Sequence, residues 1–250
     1  MKFVGIIPAR YASTRFPGKP LADIFGKPMI QHVYERAAQV FQTVVVATDD
    51  ERIAQAVTHF GGRAVMTATT HRTGTDRCYE AYTKLPETFD VVVNIQGDEP
   101  FIAIEQMELL KNCFVANDVQ IATLVKPFAP DATWHDLQNP NTPKVLVGAQ
   151  SEAIYFSRSV VPYMRGVQPD QWASAHTFYK HIGIYAYRAD VLERITHLPQ
   201  GVLEQCESLE QLRWIENGLR IKVAVTTAEN HSVDTPDDLQ KILQLHKQIH

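Results

Sequence analysis

An α/β architecture built on a doubly wound, mostly parallel sheet is what this amino-acid order predicts. Two features carry that expectation. Short β-branched runs alternate with stretches of helical periodicity, giving β-α-β-α-β-α-β-α before the pattern changes. The run Asp90-Val-Val-Val-Asn-Ile-Gln96 is also apolar enough to be a central strand covered on both faces. With 250 residues there is enough chain to bury a large core in one domain, or in one domain with an appendage.

Phe3–Ile7 is a short apolar run that reads as the first strand. Pro8, which lacks an N–H for the ladder, is expected to stop it. Pro28 opens the first helix, in which Met29, Ile30, Val33, Ala37, Val40 and Phe41 recur at helical spacing. Thr43–Thr48 is a β-branched strand ended by Asp49 and Asp50. Asp50 can cap the next helix, whose apolar face is Ile53, Ala54, Val57 and Phe60. Gly61-Gly62 stops that helix, and Arg63–Met66 reads as a third strand. A polar loop, His71-Arg-Thr-Gly-Thr-Asp-Arg77, leads into a helix carrying Cys78, Ala81, Tyr82 and Leu85. The Asp90–Gln96 strand ends in Gly97-Asp98-Glu99-Pro100, a helix follows from about Ile104 to Asn117, and Gln120–Val125 adds another strand.

Beyond that the pattern changes. Pro127, Pro130, Pro140 and Pro143 fall in a segment of little periodicity, which predicts a linker into a second section. Lys144–Val147, Ala153–Phe156 and His181–Arg188 read as strands, with Arg165–Ala175 a mobile polar loop between them. Leu203–Glu216 reads as one helix with Leu203, Cys206, Leu209, Leu212 and Ile215 inward. Glu204, Glu207, Glu210, Gln211 and Arg213 fall off that stripe, as a solvated face would. Arg220–Thr226 is the last strand. Thr235-Pro236 makes a good N-cap pair for a final helix with Leu239, Ile242 and Leu243 inward, which leaves the Asp234 carboxylate available. The expected division is a core of residues 1–126 and 200–250, with 127–199 as a smaller section of the same domain. There is no internal repeat and no low-complexity tract.

The loop after the first strand is the main chemical signal. Arg10, Arg15 and Lys19 occur there with no acid before Asp23, among the small residues Ala9, Ala12, Ser13 and Gly18. Such a loop lets backbone N–H groups approach an anion closely, and three cations suit a polyphosphate. It is not a Walker A loop: Ser13 stands where the first Gly belongs, and Pro20 where Ser or Thr should follow Lys19. The dinucleotide fingerprint G-x-G-x-x-G is absent from this turn as well. A solvated basic connection is the competing reading. In the second polar loop, Gly74 between two hydroxyls at a helix start suits a base edge or a phosphate, against plain capping by Thr73 or Thr75. Asp98 follows a central strand, where doubly wound sheets bind ligands, against an ordinary cap or turn role.

Composition narrows the function classes. Apolar content is 45%, charged content 21% and net charge −4, so no general attraction to nucleic acid or to acidic lipid is expected. Charge is unevenly spread: before Asp49, the bases Lys2, Arg10, Arg15, Lys19, Lys27 and Arg36 face only Asp23 and Glu35. Cys78, Cys113 and Cys206 lack metal-type spacing and read as small buried hydrophobes in a reducing compartment. No run approaches the ~18 apolar residues of a membrane helix, and Arg10 interrupts any signal-peptide core, so a cytoplasmic location is expected.

Several of these motifs together resemble one family. Ile7-Pro8-Ala9-Arg10, Ser13-x-Arg15-x-Pro17-Gly18-Lys19-Pro20, Gly26-Lys27-Pro28-Met29-Ile30, Ala47-Thr48-Asp49 and Thr73-Gly74-Thr75-Asp76-Arg77 carry the first half of the match. Asn94-x-Gln96-Gly97-Asp98-Glu99-Pro100, Tyr155-Phe156-Ser157-Arg158, His181-Ile-Gly183-Ile-Tyr185, Leu209-Glu210-Gln211-Leu212-Arg213 and Val233-Asp234-Thr235-Pro236 carry the rest. In this order they closely resemble the 3-deoxy-manno-octulosonate cytidylyltransferases, which activate the acid sugar Kdo with CTP for lipopolysaccharide biosynthesis.

The resemblance implies a Rossmann-like fold of the nucleotide-diphospho-sugar transferase type, Mg²⁺ as cofactor held by Asp98 and Asp234, and a homodimer formed through residues 127–199. It implies catalytic roles for Arg10, Arg15, Lys19, Asp98 and Asp234. Nucleotide contacts would come from Ala9, Arg10, Ser13, Lys19, Arg72, Thr73, Gly74, Arg77 and Gln96, and sugar contacts from Arg158, His181, Tyr185, Glu210 and Gln211. A lone His such as His181 is otherwise more often structural. Two alternatives stay open: a cytidylyltransferase for another acid sugar, such as an amino-Kdo or a sialic acid, and a non-catalytic nucleotide-binding module. Asp98 and Asp234 argue against the second, because a binder needs only the basic loop.

Overall fold

The computed structural model describes residues 1–229 and 231–247. The chain begins with β1 (Phe3–Ala9), a hairpin of β2 (Asp23–Ile24) and β3 (Lys27–Pro28), and α1 (Met29–Ala37). The alternation continues through β4 (Thr43–Thr48), α2 (Glu51–His59), β5 (Ala64–Met66), α3 (Gly74–Thr83), β6 (Val91–Asn94) and α4 (Ile104–Cys113). Next come β7 (Ile121–Pro127), α5 (Trp134–Gln138), β8 (Lys144–Val147), β9 (Ala153–Ser157), α6 (Trp172–Ala175) and β10 (Tyr179–Arg188). The described chain closes with α7 (Ala189–Thr196), α8 (Val202–Glu207), α9 (Gln211–Glu216), β11 (Ile221–Val225) and α10 (Pro236–Lys247). Two compact units result. One contains residues 1–108, 187–196 and the segment from Glu229; the other contains 109–186 and 197–228.

The first unit holds parallel strands in the order β6-β1-β4-β5, with Val4 opposite Thr43 and Val92, and Val46 opposite Ala64. Val4, Ile6, Ile7, Val45, Val46, Val91, Val92 and Val93 are all fully buried, which is why these runs read as apolar on both faces. Burying each such side chain contributes about 1.5–3 kcal/mol. Helix α1 buries Met29, Ile30, Val33 and Ala37, and Asp50 caps α2 by accepting from the Arg52 N–H. Leu239 and Ile242 of α10 pack with Ile24, Met29 and Val233, fixing the start of α10 against this unit. Pro8 does not end β1 as expected: the strand runs on to Ala9, with Pro8 opposite Ala47 of β4. The pairing with β6 stops at Ile6, so at Pro8 that side of β1 carries no ladder that a missing N–H would break.

In the second unit β11 pairs parallel with β7, while β8 pairs antiparallel with both β9 and β10. Strand β10 lies beside β7 and pairs at its start with β8, so it is not an open edge. The Pro-rich segment is not a bare linker. Thr133 and Asp136 form a capping box that starts α5, and Leu137 is buried with Trp172 and Phe178. In the 165–175 segment, expected to be a mobile polar loop, Trp172 is buried with Leu137 and Phe178.

The helix predicted over 203–216 is broken at Ser208, with φ 51°, into α8 and α9. The expected apolar stripe fails there. Cys206 is exposed, while Glu204 and Arg213 are 5% and 8% exposed and pair with each other at 2.9 Å. A buried ion pair replaces part of the apolar face, and hydrophobic periodicity cannot show it. Of the three cysteines only Cys78 is buried. Among the described residues no helix is long and apolar enough to cross a membrane.

Candidate active site

Strands β1, β4, β5 and β6 run parallel, so their carboxyl ends share one edge of the first unit's sheet, the edge where open α/β sheets bind ligands. A cavity of about 270 Å³ lies there. Its walls are Pro8 and Ala9 of β1, then Arg10, Ser13, Arg15, Lys19 and Pro20 of the basic loop. His71, Arg72, Thr73, Gly74 and Arg77 add the start of α3, and Gln96, Gly97, Asp98 and Asp234 complete it. The residues assigned from sequence to catalysis and nucleotide binding therefore all line one cavity. Arg10, Arg15, Lys19 and Arg72 outnumber Asp98 and Asp234, which gives it the field of a polyanion site.

Local geometry explains how the loop reaches this shape. Gly18 has φ 70°, a left-handed conformation that glycine adopts without penalty, and its N–H donates to Tyr11 O at 2.9 Å. The Arg52 guanidinium stacks 3.3 Å from the Tyr11 ring centre and is itself held by Asp50. Gly97 lets the segment after β6 approach β1: a Cβ there would lie 2.9 Å from Pro8 O. Arg10 and Arg72 are exposed and make no hydrogen bond or ion pair among the described residues, so their donors face the cavity uncommitted.

The two acids converge on one cation. Lys19 Nζ donates to Asp98 Oδ2 at 2.8 Å and to Asp234 Oδ1 at 3.3 Å, and Arg15 lies 3.2 Å from the same Asp234 oxygen. Val233 N–H donates to Asp98 O at 2.9 Å, which ties the segment before α10 to the one after β6. Asp234 is not the cap of α10. Thr235 and Asp238 bond each other's backbone N–H groups at 3.2 and 3.0 Å, as the sequence predicted. Two hard carboxylates reach the same ammonium, and there is no cluster of three or more ligating side chains among the described residues. Asp98 and Asp234 are the residues that could hold Mg²⁺.

At the α3 end, both readings of the sequence meet. Thr73 is the N-cap, accepting from Asp76 N–H, and it also lines the cavity. Arg77 lines the cavity too, but its guanidinium is buried against Asp49 at 2.8 Å and Thr67 Oγ1 at 2.6 Å. It is held as a structural pair rather than offered to a ligand. His71 was not singled out by the sequence, because a lone histidine carries no spacing signal. Its ring bonds Glu80. Burial pushes the Glu80 carboxyl up. Hydrogen bonds from Lys84, the Ala68 N–H and His71, with the Lys84 charge, outweigh that and bring it from 4.5 to about 2.

The sugar candidates lie in the second unit. The His181 ring packs against Phe156 and Tyr185, with centroids 5.1 and 5.3 Å away, and Tyr185 packs edge-on to Trp214 of α9 at 5.1 Å. Desolvation of the His181 ring lowers its pKa from 6.5 to about 4, so it is neutral at pH 7. Thr123 Oγ1 donates to Ile184 O at 2.8 Å and lies 3.1 Å from His181 Nε2, which favours the Nε2–H tautomer. Burial raises the Tyr185 hydroxyl well above its usual range, and the Glu210 charge adds to that. Gln211 is 5% exposed, and its Nε2 has no hydrogen-bond partner among the described residues. Arg158 stands apart. Its guanidinium donates to the carbonyls of Glu207, Pro140 and Ser208 at 2.5, 2.7 and 3.2 Å, so it ties turns together rather than waiting for a carboxylate.

Residues 4–221 match the family described as Cytidylyltransferase. A protein of Parabacteroides distasonis named 3-deoxy-manno-octulosonate cytidylyltransferase is 62% identical over 97% of both chains. The chain belongs to this cytidylyltransferase family. Proteins of the same name from Phocaeicola vulgatus and Geobacter sulfurreducens are 60% and 47% identical, over 96% and 98% of this chain and 96% and 99% of theirs. The solved structure of CMP:2-keto-3-deoxy-manno-octonic acid synthetase complexed with CTP superimposes with a TM-score of 0.90, at 45% identity over all of both chains. A 4-diphosphocytidyl-2C-methyl-D-erythritol synthase from Anaerococcus prevotii shares the fold, with a TM-score of 0.62 at 12% identity.

Proposed function

We propose that this cytidylyltransferase transfers CMP from CTP to the anomeric hydroxyl of Kdo, giving CMP-Kdo and pyrophosphate for lipopolysaccharide biosynthesis. The observation that carries the reading is the cavity in which Arg10, Arg15, Lys19 and Arg72 surround the Asp98–Asp234 pair, in a chain 62% identical to a protein of that name. The C2 hydroxyl of the sugar attacks the α-phosphorus, that P–O bond forms in line, and the bond to pyrophosphate breaks. Negative charge grows on the leaving group and stays on the α-phosphoryl oxygens. Arg10, Arg15 and Lys19 line the cavity as the cations that would meet it, with Lys19 the most enclosed of them. No covalent intermediate on the chain is required.

Asp98 and Asp234 would hold Mg²⁺ together with phosphate oxygens; bound there, it would neutralise phosphate charge and acidify the attacking hydroxyl. Ala9, Ser13, Thr73, Gly74 and Gln96 line the nucleotide side of the same cavity. The assay that tests the whole reading is pyrophosphate release from CTP with Kdo, with an amino-Kdo and a sialic acid as competitors. Release only with a competitor sugar would reassign the substrate, and no release with any of them would leave a nucleotide-binding module.

The sugar would be read by His181, Tyr185, Glu210 and Gln211, with the neutral His181 acting as a hydrogen-bonding group rather than a charge. Gln211 carries the most specific expectation, since a buried donor without a partner is costly until a ligand supplies an acceptor. Gln211→Ala is expected to raise the KM for Kdo about 3–10-fold, the worth of one net hydrogen bond, and to leave the KM for CTP unchanged. An equal rise for both substrates would assign Gln211 to general support of the fold.

A homodimer in the cytoplasm completes the proposal, with the 127–199 section as its interface. Among the described residues β9 has a ladder partner only in β8; Ile154 on it is 60% exposed, and Tyr163 is 78% exposed. Covering an apolar edge with a two-fold copy is a common solution. Light scattering at micromolar concentration should give twice the 28.2 kDa chain mass, and a strictly monomeric mass would refute the dimer.

A further inference from the structure

We propose that Glu80 is a positioning residue for nucleotide binding that acts through His71; this rests on the CTP reading above. His71 lines the cavity beside Arg72, and its Nε2 contacts Glu80 Oε2. The same carboxylate accepts from the Ala68 N–H at 2.8 Å and pairs with Lys84 one helical turn further on at 2.6 Å. One side chain on α3 thus grips the loop before that helix at two points, 68 and 71. Both partners are mostly enclosed, with His71 and Glu80 side chains 19% and 22% exposed.

The rest of the loop shows why this grip matters. Its start is fixed where the Thr67 N–H donates to Thr48 O at 2.8 Å and Arg77 reaches Thr67 Oγ1. Its end is fixed where Thr73 caps α3. Glu80 supplies the ties between those anchors, over the residues that reach the cavity. With Nε2–H donated to the carboxylate, the ring presents Nδ1 as its remaining polar atom. A histidine already held in place loses less freedom when ligand binds, so the gain appears as affinity rather than as rate.

The test is CTP binding by calorimetry together with steady-state kinetics, on Glu80→Ala, Glu80→Gln, His71→Ala and the Glu80→Ala/His71→Ala double variant. Thermal midpoints are measured for each. Glu80→Ala and His71→Ala should each raise the Kd and KM for CTP about 3–10-fold, with kcat and the KM for Kdo unchanged. The double variant should be no worse than the weaker binder of the two, because both changes remove one device. Glu80→Gln should recover most of the affinity, since its amide oxygen can still accept from Ala68 and His71. A lowered midpoint in Glu80→Ala with normal CTP affinity would overturn the proposal, as would losses that multiply in the double variant. If Glu80→Ala fails to fold, wild-type CTP affinity in His71→Ala overturns it. A wild-type chain that does not bind CTP is a separate result, which defeats the nucleotide reading itself.

Discussion

Asp98→Asn and Asp234→Asn are each expected to lower turnover by at least ~10²-fold, and the double variant to be little worse than either single change. The reason is convergence. The two carboxylates lie 136 positions apart in sequence yet meet the same Lys19 ammonium at 2.8 and 3.3 Å. A group of charges that holds one cation works as a unit, so removing either member disables the same ion. Ordinary structural roles predict something else. Asp234 is not the cap of α10, since Thr235 and Asp238 fill that place, so its amide variant should keep the helix. Both side chains are partly exposed, at 28% and 39%, and the substitutions keep their shape, so stability should change by about 0.5 kcal/mol or less. The deciding measurement is turnover against Mg²⁺ concentration for both single variants and the double. If the two losses multiply and the Mg²⁺ dependence is unchanged, the carboxylates do not share an ion.

What could be read in the amino-acid order follows from what each signal measures. Hydrophobic pattern reports burial. It placed Thr43–Thr48 to the residue and the start of the first helix to within one residue; of the expected inward positions Met29, Ile30, Val33 and Ala37 are buried in that helix, while Val40 and Phe41 lie beyond its end. Cap chemistry is local, so Asp50, Thr73 and Thr235 could be read as caps from their neighbours alone. The basic loop stood out because small residues and unbalanced cations follow a strand end, and Arg10, Arg15 and Lys19 do line the cavity there.

The misses are long-range and polar. Glu204 and Arg213 look like a solvated face until the chain folds them inward against each other, and with them went the single helix over 203–216. Arg158 looks like a carboxylate binder until three carbonyls from distant turns surround it. The engagement of Arg77 with Asp49, and of His71 with Glu80, is likewise set by where helix α3 packs rather than by any local spacing. Pro8 was misjudged for a topological reason: the strand that would have needed its N–H ends two residues earlier.

Lys19→Ala should reduce kcat/KM for CTP by about 10²–10³-fold, the loss typical of one preorganised charge-stabilising donor. Lys19 is the better placed of the loop cations: its side chain is 14% exposed and bridges both acids, whereas Arg15 is 65% exposed and touches only Asp234. Solvent and salt weaken an exposed charge, so Arg15→Ala should cost less than Lys19→Ala, and its deficit should shrink further as ionic strength rises. Lys19→Arg should restore little, because a planar guanidinium cannot place one compact charge between Asp98 and Asp234 in a pocket built for an ammonium. The readouts are kcat and KM for all three variants at two salt concentrations. Wild-type kcat/KM in Lys19→Ala would reduce the basic loop to a solvated connection, and an Arg15 variant as damaged as the Lys19 one would mean that the loop closes over the triphosphate and buries both cations.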